Sequence, residues 1–279
     1  MRAARTLLAA LLGTALACAS RPAAEPPQRP VRVIGHRGCA GHAPENTLPA
    51  FAKALELGAS EVELDVQLSR DGVLVLFHDK TLEAKTALAG RVADHPAGAL
   101  LATDIGSWFD AAHPERPPRF AGTTLTTLPE VFARFGRRLH YHVEIKSQEP
   151  ELPGRVLELV RAQGLADRVT LTSFAFEQVA RVRALDAGIP TTWLVDDASE
   201  AALARAAALP LTGVALRADQ ISRAWVERGR ALGLDVRAFG VASPALMERA
   251  LEAGASGMTI DWPELLIERL ARPPALARH

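Results

Sequence analysis

The spacing of hydrophobic and polar positions changes repeatedly along the chain and predicts strands and helices in turn. Nine short runs have the length and composition of strands: residues 31–35, 61–68, 73–78, 140–146, 169–174, 191–195, 213–216, 235–241 and 257–260. Segments rich in Ala, Leu, Glu and Arg lie between most of these runs, including residues 48–57, 156–162, 177–187, 198–208 and 244–253. Such alternation is typical of a parallel sheet with crossover helices.

The number of strands indicates how the sheet is arranged. Asp71 and Gly72 join the second and third runs, and an Asp-Gly pair between strands is a hairpin signal, so one run is an antiparallel addition. The eight remaining βα units predict a closed (β/α)8 barrel, or TIM barrel. A doubly wound open sheet is the alternative, but no glycine-rich phosphate loop of Rossmann or Walker spacing follows the first strand.

The segment from about residue 86 to residue 129 interrupts the alternation. It is rich in proline and contains two neighbouring aromatic residues, Trp108 and Phe109. We expect a small cap inserted after the second barrel strand, over the end of the barrel where active sites of this architecture lie. A disordered excursion is the alternative, and it would leave both aromatic side chains without a core.

The first residues have the layout of an export signal. Arg2 and Arg5 precede an apolar run at residues 7–16, which is too short for a stable membrane span. We expect a signal peptide at residues 1–17, a lipidation site and proline-rich tether at 18–30, and the folded domain at 31–279. The chain is therefore predicted to be exported to the periplasm or cell envelope.

The end of the predicted signal contains a candidate lipidation site. The sequence Ala15-Leu16-Ala17-Cys18 resembles a bacterial lipoprotein box, in which cleavage precedes a cysteine that becomes lipidated. This resemblance predicts a membrane anchor at Cys18. Because Ala15 stands where Leu, Val or Ile is usual, ordinary cleavage after Ala17 stays open and would give a soluble exported protein.

Composition excludes several classes of protein. The 279 residues are 48% hydrophobic and 23% charged, which excludes disorder of the whole chain. Lys+Arg and Asp+Glu number 32 each, so the charge balance gives no sign of a nucleic-acid partner. Two cysteines are too few for a disulfide scaffold or a cysteine-rich metal site. No obligatory protein partner is evident.

Two predicted strands carry ionisable residues along one face. The polar positions are Glu61, Glu63, Asp65 and Gln67 in the first of them, and His140, His142, Glu144 and Lys146 in the second. Carboxylates held close together in a parallel sheet repel one another, and a divalent cation is the simplest group that neutralises them. A solvated strand face is the alternative, and it is weaker for both strands together than for either alone.

Two histidines stand at the ends of predicted strands. His36 directly follows the first strand, and His78 ends the third. The carboxyl ends of barrel strands are where active sites of this architecture lie. Because the ordinary pKa of histidine is near neutrality, both residues are candidates for proton transfer.

Seven motifs, in this order, resemble those of the glycerophosphodiester phosphodiesterase family. They are Gly35-His36-Arg37-Gly38, Pro44-Glu45-Asn46-Thr47, Glu63-Leu64-Asp65, His78-Asp79, Val143-Glu144-Ile145-Lys146, Thr172-Ser173-Phe174 and Ile260-Asp261-Trp262-Pro263. The resemblance covers residues 31–270 and implies a barrel with a small cap. It also implies hydrolysis of a small glycerophosphodiester to glycerol 3-phosphate and an alcohol, with one divalent cation, Ca²⁺ or Mg²⁺.

The resemblance implies a role for each matched residue. The roles are metal ligands (Glu63, Asp65, Glu144), an acid/base pair (His36, His78) and substrate-binding residues (Arg37, Lys146, Glu45). Which histidine is the base stays open. Glu45 would lie near the metal or orient His36, and Asn46 and Thr47 would mainly shape the start of the following helix.

The sequence departs from the family pattern at Cys39, at Ala84-Lys85-Thr86 and at residues 239–242. The resemblance implies that the last segment packs against the glycerol or leaving-group side, so the substrate preference stays open. A lysophospholipase D or sphingomyelinase-D-like hydrolase on the same barrel is the alternative activity. A non-catalytic surface binding protein is the third reading, and retention of both histidines and all three acids argues against it.

Overall fold

In a computed structural model, which describes residues 30–272, every predicted strand is present. The strands are β1 (Arg32–Gly35), β2 (Glu61–Leu68), β3 (Leu74–Leu76), β4 (His140–Ile145), β5 (Val169–Ser173), β6 (Thr191–Val195), β7 (Gly213–Arg217), β8 (Asp235–Phe239) and β9 (Gly257–Ile260). The predicted signal peptide, Cys18 and the tether up to residue 29 lie outside the described residues.

Eight of the strands are parallel and close on themselves. Their hydrogen-bonded order is β1-β9-β8-β7-β6-β5-β4-β2, and β1 pairs with β2 to complete the ring. β3 is antiparallel to β2, across a turn in which Gly72 has a φ of +80°. The predicted (β/α)8 barrel is confirmed, and the open doubly wound sheet is wrong.

Helices surround the barrel and form part of the cap. They are α1 (Leu48–Glu56), α2 (Ala97–Leu101), α3 (Gly106–Ala112), α4 (Leu128–Phe135), α5 (Leu152–Ala162), α6 (Phe176–Leu185), α7 (Glu200–Ala208), α8 (Arg223–Ala231), α9 (Pro244–Ala253) and α10 (Pro263–Ala271). α5 begins at Leu152, before the predicted residue 156. The first turn of a helix leaves its backbone N–H groups without helical partners, so it accepts Pro153, which has no N–H. Within residues 30–272 no helix has the length and apolar character needed to cross a membrane.

The strands bury their apolar and polar faces in different places. On β2, Val62, Leu64 and Val66 pack outward against α1 and α4 in the main hydrophobic core. Residues of the other parity face the barrel interior. The register aligns Asp65 of β2 with Glu144 of β4, so the polar faces of these two strands meet inside the barrel.

The segment between β3 and α4 is an ordered cap with a small core. Its buried residues are Phe77, Leu82, Val92, Leu100, Ile105 and Leu125, which pack with Val75 of β3. Phe109 is also buried and meets Phe120 edge to face, with ring centroids 5.3 Å apart. The disordered alternative is therefore wrong. The cap core begins before the predicted residue 86, because Leu82 already belongs to it.

Candidate active site

Three carboxylates from neighbouring strands form a buried cluster inside the barrel. Glu63 and Asp65 come from β2 and Glu144 comes from β4, and one oxygen atom of each lies within 4.8 Å of the others. Burial and the charge of Asp65 raise the pKa of Glu63 to about 7 and that of Glu144 to about 8. The positive charges around the cluster therefore compensate its carboxylates only in part near neutral pH.

Asp65 is the most strongly ionised member of the cluster. Burial favours its neutral form, but the charges of Lys146 and Arg37 outweigh this effect and hold its pKa well below the ordinary value. Its Oδ1 is buried and makes no well-aligned hydrogen bond within residues 30–272. A donor set of carboxylate oxygens, one of which makes no such hydrogen bond, fits a hard divalent cation better than zinc.

Asn46 fixes the orientation of Asp65. Its Nδ2 donates to Asp65 Oδ2 at 2.8 Å, and its Oδ1 accepts the backbone N–H of Asp65 at 3.1 Å. The expectation that Asn46 mainly shapes the start of α1 is therefore wrong. Thr47 is the N-cap residue of α1, but its hydroxyl donates to the carbonyl oxygen of Pro44 at 2.5 Å instead of capping the helix.

Two basic side chains lie against the cluster. The Arg37 backbone N–H donates to Glu63 Oε2 at 3.0 Å, and its guanidinium lies 3.5 Å from Asp65 Oδ2. Lys146 Nζ lies 3.2 Å from Asp65 Oδ1 and 2.9 Å from Glu144 Oε1. Each side chain keeps about a sixth of its surface exposed, at 15% for Arg37 and 18% for Lys146, so both can meet a ligand.

Glu45 contacts a partner that the sequence did not indicate. Its Oε2 accepts a hydrogen bond from Arg37 Nη1 at 2.8 Å, and its Oε1 accepts one from Lys85 Nζ at 2.8 Å. The expectation that Glu45 orients His36 is wrong, because Asp261 occupies that position. Glu45 instead fixes the guanidinium of Arg37.

His36 and Asp261 form the first of two histidine–aspartate pairs. Nδ1 of His36 lies 2.6 Å from Asp261 Oδ1, and its Nε2 lies 3.9 Å from Glu63 Oε2, toward the cluster. Burial acts to lower the pKa of His36, but the hydrogen bond to Asp261 and the charge of Glu63 outweigh it and raise the pKa above its ordinary value. The pair thus leaves Nε2 available for proton exchange.

His78 and Asp79 form the second pair, on the loop that follows β3. Nδ1 of His78 lies 2.6 Å from Asp79 Oδ1. Burial and the positive charges of Arg37 and Lys146 lower the pKa of His78, against the opposing charge of Asp65. As in the first pair, the carboxylate occupies Nδ1 and leaves Nε2 for a ligand.

Asp261 and Asp79 lie in the matched motifs, but the sequence alone indicated no role for either residue. The signal for Asp261 lies in the pairing of β1 with β9, because the carboxyl ends of adjacent parallel strands meet. Asp79 is adjacent to its histidine in sequence. Gln67 was noted only as polar, yet its Nε2 donates to the carbonyl oxygens of Phe77 and Asp79 at 2.8 and 3.0 Å and thus supports the His78 loop.

Comparison with known protein families identifies the group to which this site belongs. The profile of the glycerophosphoryl diester phosphodiesterase family matches residues 36–265. The chain belongs to this family. The prediction drawn from the seven motifs, a phosphoric diester hydrolase of this family, is therefore confirmed.

Relatives within the glycerophosphoryl diester phosphodiesterase family resemble the chain over most of its length. The glycerophosphodiester phosphodiesterase of Bacillus subtilis strain 168 is 30% identical over 271 residues, which are 92% of each chain. That of Caldanaerobacter subterraneus subsp. tengcongensis is 31% identical over 251 residues, covering 84% of this chain and 96% of the relative. The solved structure of an Oleispira antarctica phosphodiesterase in complex with the product sn-glycerol-3-phosphate has a TM-score of 0.79 and 26% identity, covering 86% and 97%.

A second polar group lies below the carboxylate cluster of this phosphodiesterase barrel. His142 Nε2 lies 2.7 Å from Glu61 Oε2, and its Nδ1 lies 2.8 Å from an Arg237 guanidinium nitrogen. His140 Nε2 lies 2.9 Å from Thr170 Oγ1. His140 and His142 lie deeper along β4 than Glu144, a position that predicts packing and hydrogen-bonding roles, and these contacts agree with that prediction. A cavity of about 530 Å³ opens beneath them at the amino end of the barrel.

Cys39 lies in the loop after β1 but is chemically protected. Its side chain is fully buried, and burial raises the pKa of the thiol to about 12. The thiol donates to the carbonyl oxygen of Asp261 at 3.7 Å. Because only the thiolate is strongly nucleophilic, Cys39 is a packing residue of the loop.

Proposed function

We propose that the chain hydrolyses glycerophosphodiesters to glycerol 3-phosphate and an alcohol, with the help of one divalent cation. The observation that carries this proposal is the placement of two histidine–aspartate pairs around a buried all-carboxylate cluster. Arg37 and Lys146 add positive charge beside the same cluster. The names of the relatives and the product held by the Oleispira protein support the substrate class.

Glu63, Asp65 and Glu144 would hold the cation, which we propose to be Ca²⁺ or Mg²⁺ because both prefer oxygen ligands. When bound, such an ion polarises a phosphoryl oxygen and offsets the charge that develops on it. The carboxylates that now repel one another, as the raised pKa values of Glu63 and Glu144 reflect, are suited to this role. Asn46 keeps Asp65 in one orientation before the ligand arrives.

Arg37 and Lys146 bind the remaining phosphate oxygens. A guanidinium can donate two parallel hydrogen bonds to a phosphate, and an ammonium acts as a compact point charge. Both groups are already held by carboxylates of the site, so little side-chain freedom is lost when substrate binds. Their charges also stabilise the more negative transition state.

His36 and His78 move the protons. One Nε2 takes a proton from the attacking oxygen, which belongs to water or to the neighbouring glycerol hydroxyl. The other Nε2 gives a proton to the alcohol oxygen that leaves phosphorus. If the glycerol hydroxyl attacks, water opens the resulting cyclic phosphate in a second step. Asp261 and Asp79 hold each Nδ1 and stabilise the protonated ring.

The assay that tests this proposal measures glycerol 3-phosphate released from glycerophosphocholine, with and without a strong chelator. We expect turnover that the chelator abolishes and that Ca²⁺ or Mg²⁺ restores. Zinc alone should restore little. Lysophosphatidylcholine serves as the comparison substrate, because preferential cleavage of it would establish a lysophospholipase D instead. Full turnover in chelator would remove the metal from the proposal.

We also propose that the chain is exported and anchored through a lipid on Cys18. The support is the signal-like layout of residues 1–17 and the lipoprotein-like sequence before Cys18. Pro30 lines the cavity at the amino end of the barrel, so the described chain begins at the end opposite the site. Cys18→Ser should move the protein from the membrane to the soluble fraction at unchanged specific activity, and an unmodified mature Cys18 in mass spectrometry would contradict lipidation.

A further inference from the structure

Lys85 lies in the cap, in the segment where the sequence departs from the family pattern. Its backbone N–H donates to the carbonyl oxygen of Leu82 at 3.2 Å, and Leu82 is fully buried in the cap core. The turn that carries Lys85 is therefore fixed by the cap. The side chain points inward, with only 10% of its surface exposed.

The Lys85 ammonium has a partner for each direction in which it can donate. Nζ lies 2.8 Å from Glu45 Oε1 and 2.9 Å from Asp79 Oδ2, and it lies 4.9 Å from the centroid of the Trp108 ring. An ammonium carries three N–H donors, and an aromatic face attracts a cation. One cap residue is thus held by two carboxylates and by one cap aromatic.

Each of these carboxylates uses its second oxygen to hold a residue of the active site. Glu45 Oε2 accepts from Arg37 Nη1 at 2.8 Å, and Asp79 Oδ1 lies 2.6 Å from His78 Nδ1. Arg37 and His78 come from different loops, after β1 and after β3. The Lys85 ammonium therefore connects the Glu45–Arg37 contact with the Asp79–His78 contact.

We propose that Lys85 is a positioning residue, through which the cap sets the placement of Arg37 by way of Glu45 and that of His78 by way of Asp79. Glu45 now shares its charge between two cations. Without the ammonium, that charge falls on Arg37 alone and draws the guanidinium away from the phosphate. Asp79 at the same time loses the contact that fixes it beneath His78. The proposal rests on the proposed function, because it assigns Arg37 to phosphate and His78 to proton transfer.

Lys85→Met tests this role, because methionine keeps an apolar stem beside Trp108 and removes the ammonium. We expect kcat to fall on the order of 10–100-fold, as for other groups that orient catalytic side chains. Affinity for glycerol 3-phosphate, measured by calorimetry, should fall several-fold. Lys80→Met is the matched control, since Lys80 is exposed in the same loop and makes none of these contacts, and it should change neither quantity.

Three further results sharpen the test. Lys85→Arg should recover part of the lost kcat, because a guanidinium can still reach two carboxylates. Lys85→Met should lower kcat less in an Asp79→Asn background than on its own, since the two variants share the route through His78 and only the route through Glu45 and Arg37 is left to lose. The melting temperatures of Lys85→Met, Glu45→Gln and the double variant form a thermal double-mutant cycle. The stability losses of the two single variants should not add up in the double variant, and this measurement does not require catalytic activity. Lys85→Gln replaces Lys85→Met if the latter does not fold.

Two outcomes would overturn the positioning role. In one, Lys85→Met lowers only the melting temperature and keeps kcat and glycerol 3-phosphate affinity near those of the unaltered chain. In the other, the thermal cycle shows no coupling between Lys85 and Glu45. Failure of the proposed function gives a different result, because the unaltered chain would then release no glycerol 3-phosphate. The thermal cycle would still decide whether Lys85 and Glu45 are coupled.

Discussion

The barrel interior contains two polar layers that the same strands build in different ways. The upper layer, Glu63, Asp65 and Glu144, holds three carboxylates whose mutual repulsion is relieved only in part by Arg37 and Lys146. In the lower layer, defined here as Glu61, His142 and Arg237, each side chain has a hydrogen-bond partner. Charge left uncompensated, rather than polarity or burial, therefore distinguishes the layer that we propose to bind a cation from the layer that supports the fold.

The two layers also differ in what a substitution removes. In the proposed function a side chain beside the upper layer acts on substrate, so we expect its loss to lower turnover while the strands stay paired. In the lower layer, the loss of one partner leaves another buried polar group unsatisfied, which lowers stability. Substitutions that separate turnover from stability thus test the comparison directly.

The largest expected effect concerns the histidines that face the upper layer. His36→Ala and His78→Ala should each lower kcat by on the order of 10²–10⁴ while the fold persists, because each removes one proton-transfer step. Steady-state kinetics on glycerophosphocholine measure the loss, and circular dichroism checks the fold. His42→Ala is the control, since His42 pairs with Glu264 away from the cluster. Near-normal turnover in either variant would remove that histidine from the pair.

The next effect concerns the lower layer. His142→Leu should reduce the free energy of unfolding by about 2–5 kcal/mol, because it leaves the buried Arg237 and the half-buried Glu61 without their shared partner. Turnover of the folded fraction should stay near that of the unaltered chain. Urea denaturation and kinetics on the same samples measure both. A large loss of kcat with normal stability would place His142 in the active layer instead.

Much of this arrangement could be predicted from the sequence, for a physical reason. Strand periodicity of two places Glu63, Asp65 and Glu144 on interior faces, and parallel pairing brings the strand ends to one side. His36 and His78 follow from the same geometry. The nine strands were predicted with ends that differ by no more than two residues, because apolar runs and their bounding turns are local signals.

The remaining features depend on contacts that local patterns do not encode. Asn46 reaches Asp65 from a loop in which Arg37 and Asn46 both have left-handed φ angles, +49° and +58°, and periodicity gives no account of such backbones. The Asp261 contact to His36 joins residues 225 positions apart. Along β2 the two layers were not separated by the sequence, since Glu61 and Glu63 differ only in depth along one strand.

A smaller effect tests whether the carboxylate charges of the upper layer are left uncompensated. Glu144→Gln should stabilise the metal-free protein by about 1–2 kcal/mol, because glutamine keeps the shape of the side chain and removes a charge that burial disfavours. The same variant should lose turnover. Thermal melting in chelator measures the gain. With Ca²⁺ present the gain should disappear, because the variant lacks one ligand. Destabilisation in chelator would show that the carboxylates are already compensated.

The last effect, of about 1.4 kcal/mol per pH unit for each group, is a pH dependence of opposite sign in the two layers. Because the folded-state pKa values of Glu63 and Glu144 are raised to about 7 and about 8, the folded metal-free protein takes up protons before the unfolded chain does. The upper layer should therefore gain stability as pH falls from about 8 toward the unfolded pKa of about 4.3.

In the lower layer, and in His140 beside it, burial dominates. It lowers the pKa of His142 well below its ordinary value and that of His140 to about 4. The unfolded chain binds these protons first, so this contribution is full above about pH 6.5 and is lost as pH falls below it, by about 1.4 kcal/mol per pH unit for each histidine. Unfolding free energies measured in chelator from pH 8.5 to 5 should show the destabilisation of His142→Leu shrinking below pH 6.5. They should also show the gain of Glu144→Gln shrinking from pH 8 downward. Curves that stay parallel to that of the unaltered chain would mean that neither layer changes its protonation on folding.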